Sequence, residues 1–177
     1  ISYYYDSLNR LTREQMFEKA GNETITYEYD AGVFGKGRLT KASRTGVETA
    51  YEYDAFGRVQ DETRTINNIQ YLSHSDYDLR GNITKAILPN RSSLSYKYNS
   101  AGLLKNATLY DNSGSKFPII KGKTNTATQQ IDAIALANGV TTNFSYDSAQ
   151  RLSNKATVFG ATSLQKLAYG YIHKLSV

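Results

Sequence analysis

The stretch Tyr51-Glu52-Tyr53-Asp54-Ala55-Phe56-Gly57-Arg58-Val59 contains the pattern that decides the fold. Tyr51 and Tyr53 share one face of a strand, because side chains in a strand alternate between its two faces. Asp54 starts a turn, since its carboxylate accepts hydrogen bonds from the N–H groups ahead of it. Gly57 allows the positive φ that such turns often need. The stretch therefore predicts a strand, a tight turn and the beginning of a second strand.

The same pattern recurs along the chain. Its central tyrosines are Tyr5, Tyr29, Tyr53, Tyr77, Tyr98, Tyr146 and, in a decayed copy, Tyr171, with spacings of 24, 24, 24, 21, 48 and 25 residues. The residues expected to form the turns are Asp6, Arg10, Asp30, Arg38, Asp54, Gly57, Arg58, Asp78, Gly81, Asn99, Gly102, Asp147 and Arg151. The spacing of 48 covers two periods, which predicts a degenerate or looped repeat at about 111–130.

A second turn signal follows each first turn. The signals are Gly21-Asn22, Thr45-Gly46, Pro89-Asn90-Arg91 and Ala137-Asn138-Gly139. Each period is therefore expected to form one β-hairpin, and the hairpins must stack because none can bury its apolar face alone. The sequence predicts an all-β fold in which residues 1–177 form a single array of tandem β-hairpins in a continuous antiparallel sheet. The tyrosine pairs are expected to face inward, where their burial would dominate the packing.

Three segments depart from this repeat. Residues 128–137 fit either a short helix or a strand, and the Asn138-Gly139 turn that follows favours the strand. Residues 110–123 are expected to form a loop, because residues 111–115 have the composition of a turn. The glycine-rich residues 32–37 are expected to be a flexible hairpin insertion.

The composition limits the class of protein. The 177 residues include 15 Tyr and no Cys, which excludes disulfides and cysteine-based metal sites. No apolar run approaches the roughly 20 residues that a membrane-spanning helix needs. The net charge is +5, but the 21 Lys and Arg are spread along the chain, which favours a solvated, mildly basic surface and no nucleic-acid partner. A start at Ile1, inside a strand-like pattern, indicates a piece of a longer polypeptide.

The sequence offers no clear arrangement for catalysis or for binding a cofactor or a metal. Its two histidines, His74 and His173, are far apart and are expected at the surface. Asp76 and Asp78 lie beside a repeat turn and are expected to be structural rather than an acid–base pair. Lys121-Gly122-Lys123-Thr124 lacks the first glycine of a phosphate-binding loop. We therefore predict no catalytic residue, no cofactor and no metal.

Three segments of the chain resemble the YD repeat of the Rhs family. They are Tyr5-Asp6-Ser7-Leu8-Asn9-Arg10-Leu11-Thr12, Tyr53-Asp54-Ala55-Phe56-Gly57-Arg58-Val59 and Tyr77-Asp78-Leu79-Arg80-Gly81-Asn82-Ile83-Thr84. The resemblance covers nearly the whole chain and is weakest over 112–130 and after residue 172. It implies a sheet that curves or spirals into a hollow β-shell, as in Rhs toxins, the B and C components of Tc toxin complexes, wall-associated proteins and teneurins. In the bacterial toxins this shell encloses a toxic C-terminal polypeptide.

Two functions are compatible with this resemblance. The first is a structural scaffold segment of a large secreted or cell-surface bacterial protein, whose shell encloses or displays a toxin or effector. The alternative is a cell-surface adhesion or carbohydrate-binding module, in which exposed tyrosines beside Lys and Arg stack on sugars. The expected partners are flanking repeats and domains of the same polypeptide, an enclosed toxin payload and, through open sheet edges, other copies of the chain. An enzyme is not expected.

Overall fold

The computed structural model describes residues 1–18 and 21–172, and within them every regular element is a β-strand. The expectation for His173 therefore lies outside the described residues. The strands are β1 (Ser2–Tyr5), β2 (Leu11–Glu18), β3 (Gly21–Tyr29), β4 (Leu39–Arg44), β5 (Val47–Tyr53), β6 (Val59–Ile66), β7 (Ile69–Tyr77), β8 (Ile83–Ile87), β9 (Ser93–Tyr98), β10 (Leu104–Tyr110), β11 (Lys116–Asn125), β12 (Ile131–Leu136), β13 (Val140–Tyr146), β14 (Leu152–Phe159) and β15 (Thr162–Ala168). The all-β prediction is confirmed.

The strands are antiparallel, and within each compact unit of the chain they are neighbours in chain order. The tandem hairpins expected from the repeat are therefore present. The chain divides into two compact units, Ile1–Ser93 and Leu94–Val177. That residues 1–177 form one array stays a prediction. The described residues contain no helix of the length and apolar character that crossing a membrane requires.

Two of the departing segments are strands. Residues 131–136 form β12, so the strand interpretation of 128–137 is confirmed and the helix is wrong. The predicted loop over 110–123 is also wrong, because β11 begins at Lys116 and pairs with β10, with Tyr110 opposite Lys116 and Leu109 opposite Phe117. Only residues 111–115 form a turn, and their polar composition indicated a loop longer than the one that exists.

The tyrosines do not form a buried core. Tyr29, Tyr53, Tyr77 and Tyr146 are half-buried, and 56% of Tyr5 is exposed. Among the described residues, Ala107 is the one buried hydrophobic residue. Within each unit, and counting the described residues alone, strands contact the strands next to them in the sequence and no second layer packs against them. The expectation of an inward, buried tyrosine face is therefore wrong, because a single-layer sheet leaves both faces partly open to solvent.

Candidate functional site: the repeat junction

Each repeat contains a five-residue turn with a fixed hydrogen-bonding pattern. In the turn 54–58, the N–H of Asp54 donates to the carbonyl of Arg58, and the N–H of Gly57 donates to the carbonyl of Asp54, both at 2.9 Å. Turns with the same two bonds span residues 6–10, 78–82, 88–92, 99–103, 111–115, 126–130 and 147–151. The turn 126–130 stands where the repeat signature is missing from the sequence.

The fourth residue of each of these turns has a positive φ. The values are 60° at Asn9, 80° at Gly57, 86° at Gly81, 65° at Arg91, 78° at Gly102, 86° at Gly114, 67° at Gln129 and 62° at Gln150. The glycines meet this requirement without steric cost, whereas the other four residues adopt a conformation that L-residues avoid. The turn geometry therefore persists where the glycine of the repeat has been replaced.

The first residue of the turn fixes it through its side chain. The Oδ1 atom of Asp54 accepts hydrogen bonds from the N–H groups of Phe56 at 2.9 Å and Arg58 at 3.0 Å. Asp6, Asp78, Asp111 and Asp147 accept the same pair of bonds, and so does the amide oxygen of Asn99. An Asn in place of the Asp therefore preserves the turn, because the acceptor oxygen is what the turn requires.

The side chain of the fifth turn residue can hydrogen-bond to the side chain of the first. The Nε atoms of Arg10, Arg58 and Arg151 donate to Asp6, Asp54 and Asp147 at 2.7, 2.6 and 2.8 Å. In the fourth copy the Nδ2 atom of Asn82 donates to Asp78 at 2.9 Å instead. Hydrogen bonds from the backbone N–H and the guanidinium of Arg10 lower the pKa of Asp6. The side chain of Asn82 is the main cause of the lowered pKa of Asp78.

The same arginines reach forward to the next repeat. The guanidinium carbon of Arg10 lies 4.4 Å from the ring centre of Tyr29, and that of Arg58 lies 4.5 Å from the ring centre of Tyr77. The corresponding distances are 5.5 Å from Arg38 to Tyr53 and 4.4 Å from Arg151 to Tyr171. Each contact places a cation over an aromatic face, which is attractive and keeps that face from water.

The hydroxyl of each covered tyrosine donates to a carbonyl of the preceding repeat. Tyr29 donates to Leu11 at 2.8 Å and Tyr77 donates to Val59 at 2.7 Å. The equivalent bonds join Tyr53 to Leu39, Tyr146 to Ile131 and Tyr171 to Leu152. We call the arginine, the accepting Leu, Val or Ile, and the tyrosine of the next repeat the repeat junction.

A β-bulge lies beside the accepting residue. Glu28 pairs with Lys41 but Tyr29 pairs with Leu39, so Thr40 has no partner residue in the ladder. The hydroxyl of Thr40 donates to the carbonyl of Glu28 at 3.2 Å. Register shifts at Tyr5, Tyr53, Tyr77 and Tyr146 occur at the same place in their repeats. A bulge re-aims the neighbouring backbone, which accounts for a carbonyl that points to the next tyrosine.

The second copy carries the insertion 31–37 and changes its contacts accordingly. The Oδ1 atom of Asp30 accepts from the N–H of Gly37 at 2.6 Å, and its two carboxylate oxygens accept from Arg10 at 3.0 and 2.8 Å. Arg38 donates to the carbonyls of Phe34 and Lys36. The hydrogen bonds from Arg10 are the largest cause of the lowered pKa of Asp30.

Sequence reasoning found the members of the turn but not the link between turns. The structure brings Asp and Arg together in the turns 6–10, 54–58 and 147–151, and it places Tyr98 in β9 and Gly81 and Gly102 in their turns. The sequence pattern did not indicate that an arginine covers the tyrosine of the next repeat. The available signal was weak, because the distance between the accepting residue and the following tyrosine is 18 residues for Leu11 to Tyr29 and for Val59 to Tyr77 but 14 for Leu39 to Tyr53.

The remaining ionisable groups considered from the sequence lie apart from the turns, except Asp78. His74 is half-buried, with Nδ1 2.7 Å from Oδ1 of Asp61 and Nε2 3.1 Å from Oδ1 of Asp76. The hydrogen bond with Asp61 is the main cause of the raised pKa of His74. The described residues hold no group of three or more His, Cys, Asp or Glu arranged to hold a metal ion. Residues 121–124 lie in β11, not in a strand–loop–helix unit.

The chain was compared with known proteins by sequence and by structure. No protein-family model matches the sequence, and no curated protein matches it significantly. By structure, it is similar to a crystal structure of TcdB2-TccC3-Cdc42, with a TM-score of 0.83, 20% identity and coverage of 97% of this chain and 10% of that chain. This chain has the YD-repeat fold of Tc toxin chains.

Two further Tc toxin structures show the same YD-repeat fold. TcdB2-TccC3 without its hypervariable C-terminal region gives a TM-score of 0.84 at 20% identity, again over 97% of this chain and 10% of that chain. The Photorhabdus luminescens Tc holotoxin pore, with a TccC3 mutation, gives 0.80 at 22% identity over the same shares. The YD-repeat chain described here therefore spans about one tenth of the length of the Tc toxin chains that it resembles.

Proposed function

We propose that this chain is a non-enzymatic scaffold segment of a large bacterial Rhs-type protein, secreted or at the cell surface. In this proposal the YD repeats form part of a β-shell that encloses or displays a toxin or effector polypeptide. Its partners are the flanking repeats and domains of the same polypeptide and the enclosed payload. The observation that supports this role is the repeat junction, which joins successive hairpins through the same contacts at Tyr29, Tyr53 and Tyr77.

A scaffold role accounts for the absence of a second layer better than an independent globular module does. Each repeat is stabilised by the next, through a tyrosine hydroxyl, a cation over a ring and a sheet ladder. Stability of this kind accumulates along an array rather than in a central core. The similarity to Tc toxin chains over 97% of the chain supports the same role.

Protease protection of the payload in the intact polypeptide tests the proposal. In the unaltered protein we expect the C-terminal polypeptide to resist a protease that digests it when it is expressed alone. Weakening two junctions, with Tyr29→Phe and Tyr77→Phe, should increase its cleavage, while Tyr71→Phe serves as the control because Tyr71 lies outside the junctions. A payload that is cleaved equally fast inside the intact protein and alone would contradict enclosure.

The alternative of a binding module built on the repeat tyrosines has less support. Alternation indicates that Thr26, Glu28, Glu52 and Lys97 face solvent. Glu28, Glu52 and Lys97 are exposed, whereas Thr26 is half-buried against Ser43, and the tyrosines on the other face are only half-buried. Their ring faces are nevertheless occupied by arginines, as for Tyr29 and Tyr77. A sugar could stack on these rings only by displacing the arginine, so the junction tyrosines are poor candidates for carbohydrate contacts.

A further inference from the structure

The charges of the chain are divided unequally between its two compact units. Residues 94–177 contain nine Lys and Arg against three Asp and no Glu, a formal net charge of +6. Residues 1–93 contain twelve Lys and Arg against thirteen Asp and Glu, a formal net charge of −1. The basic residues are spread along the chain, as the sequence indicated, but the acidic residues are not. The second unit therefore carries the whole positive excess.

A cleft of about 310 Å³ in the second unit gathers three of these lysines. Lys97 enters it from β9, and Lys116 and Lys121 enter it from β11. Polar groups also line the cleft, from Ser95, Asn106, Thr108 and Tyr110. Pro118 and Ile120 complete the wall, and no carboxylate lines it. The cleft lies on one face of the sheet, since Tyr110 and Thr108 are directly opposite Lys116 and Pro118 in the ladder.

The three ammonium groups have no counter-charge in the described part of the chain. None of them lies within 4.0 Å of a carboxylate oxygen there. In the first unit, by contrast, the ammonium of Lys41 lies 3.4 Å from Glu28 and 3.1 Å from Glu48. Uncompensated charge in a concave site focuses the local potential and attracts anions.

We propose that this cleft binds the sulfate groups of a sulfated oligosaccharide. Lysine is a compact point charge with three rotatable donors, which suits a tetrahedral oxyanion better than a planar carboxylate pair. The hydroxyls of Ser95 and Thr108 and the amide oxygen of Asn106 suit the many hydroxyls of a sugar, while the Nδ2 atom of Asn106 donates to the carbonyl of Lys121. The site is separate from the repeat junction, so it does not depend on the proposed scaffold role.

Other polyanions fit the cleft less well. A single-stranded nucleic acid binds to a row of exposed aromatic faces, whereas Tyr110 is the one aromatic residue here and is half-buried. An extended acidic peptide adds to a free sheet edge, whereas this cleft lies on the face of β9, β10 and β11, with β10 in the middle. A small polar cleft on a strand face favours a sugar that carries charged groups.

Calorimetric titration of the full chain with a heparin octasaccharide tests the site. We expect saturable binding that weakens as the salt concentration rises. The triple variant Lys97→Gln, Lys116→Gln, Lys121→Gln should lose at least about tenfold in affinity, because each lysine near an anionic ligand contributes substantially to binding. Circular dichroism and the thermal midpoint should remain those of the unaltered chain, which establishes that the variant is folded.

The control removes the same charge from elsewhere in the unit. The variant Lys105→Gln, Lys155→Gln, Lys166→Gln replaces lysines that do not line the cleft, and its affinity should stay within about twofold to threefold of the unaltered chain, because the screening of distant charges is strong at physiological salt. An equal loss in both triple variants would show attraction to net charge alone and overturn the site. Tighter binding of a single-stranded oligonucleotide or of an oligoglutamate of equal charge would overturn the choice of ligand. Protection of the payload in the intact protein is measured separately, and neither result determines the other.

Discussion

At the scale of single residues, the fourth position of each turn combines a uniform backbone with variable side chains. Glycine occupies it at Gly57, Gly81 and Gly102, but Gln129 and Gln150 occupy it elsewhere with φ values of 67° and 62°. The left-handed conformation costs an L-residue roughly 1–2 kcal/mol. The turn is therefore imposed by its hydrogen bonds, and the turns with Asn9, Arg91, Gln129 or Gln150 at this position carry backbone strain that the turns with glycine avoid.

Replacing Gln129 by glycine should relieve this strain. We expect Gln129→Gly to raise the free energy of unfolding by about 0.5–1 kcal/mol, since the relief is partly offset by the larger backbone entropy of glycine in the unfolded chain. Urea unfolding followed by circular dichroism measures the change. Ala127→Gly, in the same turn but without positive φ, should instead be neutral or destabilising. Stabilisation by both substitutions would show that the gain is unrelated to φ.

His74 should make the stability of the chain depend on pH above about 6.5. The carboxylate of Asp61 raises the pKa of His74 above its unfolded value of about 6.5. The stabilisation is therefore fully present below pH of about 6.5 and is lost as the pH rises through the higher folded pKa. NMR titration of the imidazole gives the folded pKa directly, and His173→Gln assigns the signal. A folded pKa at or below 6.5 would contradict the hydrogen bonds of the His74 ring with Asp61 and Asp76.

At the scale of elements, the repeat junction couples one hairpin to the next. The tyrosine of a strand reaches across to the preceding strand, where a bulge presents a carbonyl to its hydroxyl, as Val59 does to Tyr77. The arginine that closes the preceding turn covers the ring. Thus Arg58 stabilises its own turn through Asp54 and the next repeat through Tyr77.

Removing the hydroxyl of Tyr77 should weaken one junction without removing its ring. We expect Tyr77→Phe to lower the free energy of unfolding by about 0.5–1.5 kcal/mol, because the carbonyl of Val59 loses a hydrogen bond. Tyr71→Phe, on the same strand and exposed, should change it by less than about 0.5 kcal/mol. Urea unfolding provides both values. Equal effects of the two substitutions would remove the basis for the junction.

A double-mutant cycle separates the contact between Arg58 and Tyr77 from the other bonds of each residue. The variants are Arg58→Met, Tyr77→Leu and their combination. We expect a coupling free energy of about 0.5–1 kcal/mol, typical of a cation over an exposed ring. Arg64, on β6 but outside the junction, provides the control pair Arg64→Met with Tyr77→Leu, for which the coupling should be near zero. A coupling near zero for Arg58 would leave the ring contact without energetic significance.

The turn carboxylates should make the chain sensitive to acid. Hydrogen bonds from the turns lower the pKa values of Asp6, Asp78, Asp111 and Asp147 below their ordinary values. The contribution of these carboxylates to the free energy of unfolding is present above the unfolded pKa of about 3.9. It is lost as the pH falls through the lower folded pKa values. The urea midpoint measured from pH 6 to pH 2 should therefore fall below about pH 4. Asp78→Asn should reduce this slope, because an amide keeps the acceptor but does not titrate.

At the scale of the whole chain, periodicity predicted the architecture and missed the surroundings of the tyrosines. A period of 24 residues with an aromatic pair and a turn signal determines hairpins, because strand alternation and turn chemistry are local. Burial is not local. The sequence around Tyr53 is the same whether a second layer or an arginine covers its ring, and the structure places Arg38 there. Likewise, the charge difference between the units is visible in the sequence only once their boundary is known.

The outer edge of β1 should pair weakly with other chains. Among the described residues β1 pairs with β2, so in the 177-residue chain taken by itself the other side of β1 is open to pairing. We expect reversible self-association at high protein concentration, measured by light scattering. Tyr3→Lys places a charge on this edge strand and should reduce the association, since charged residues discourage edge pairing. A strictly monomeric chain at high concentration would contradict the expectation.

Contact between sequence neighbours alone has a consequence for engineering. Among the described residues, the strand contacts within each unit join neighbours in the sequence, so a complete period can be deleted or duplicated without removing contacts elsewhere. The chain behaves as a series of repeats, each coupled to its neighbours, so the number of repeats can be varied. The cooperativity of unfolding depends on the free energy of the interface between adjacent repeats. Lengthening by whole periods of 24 residues should thus preserve every junction, whereas an insertion of half a period would put each tyrosine opposite the wrong turn.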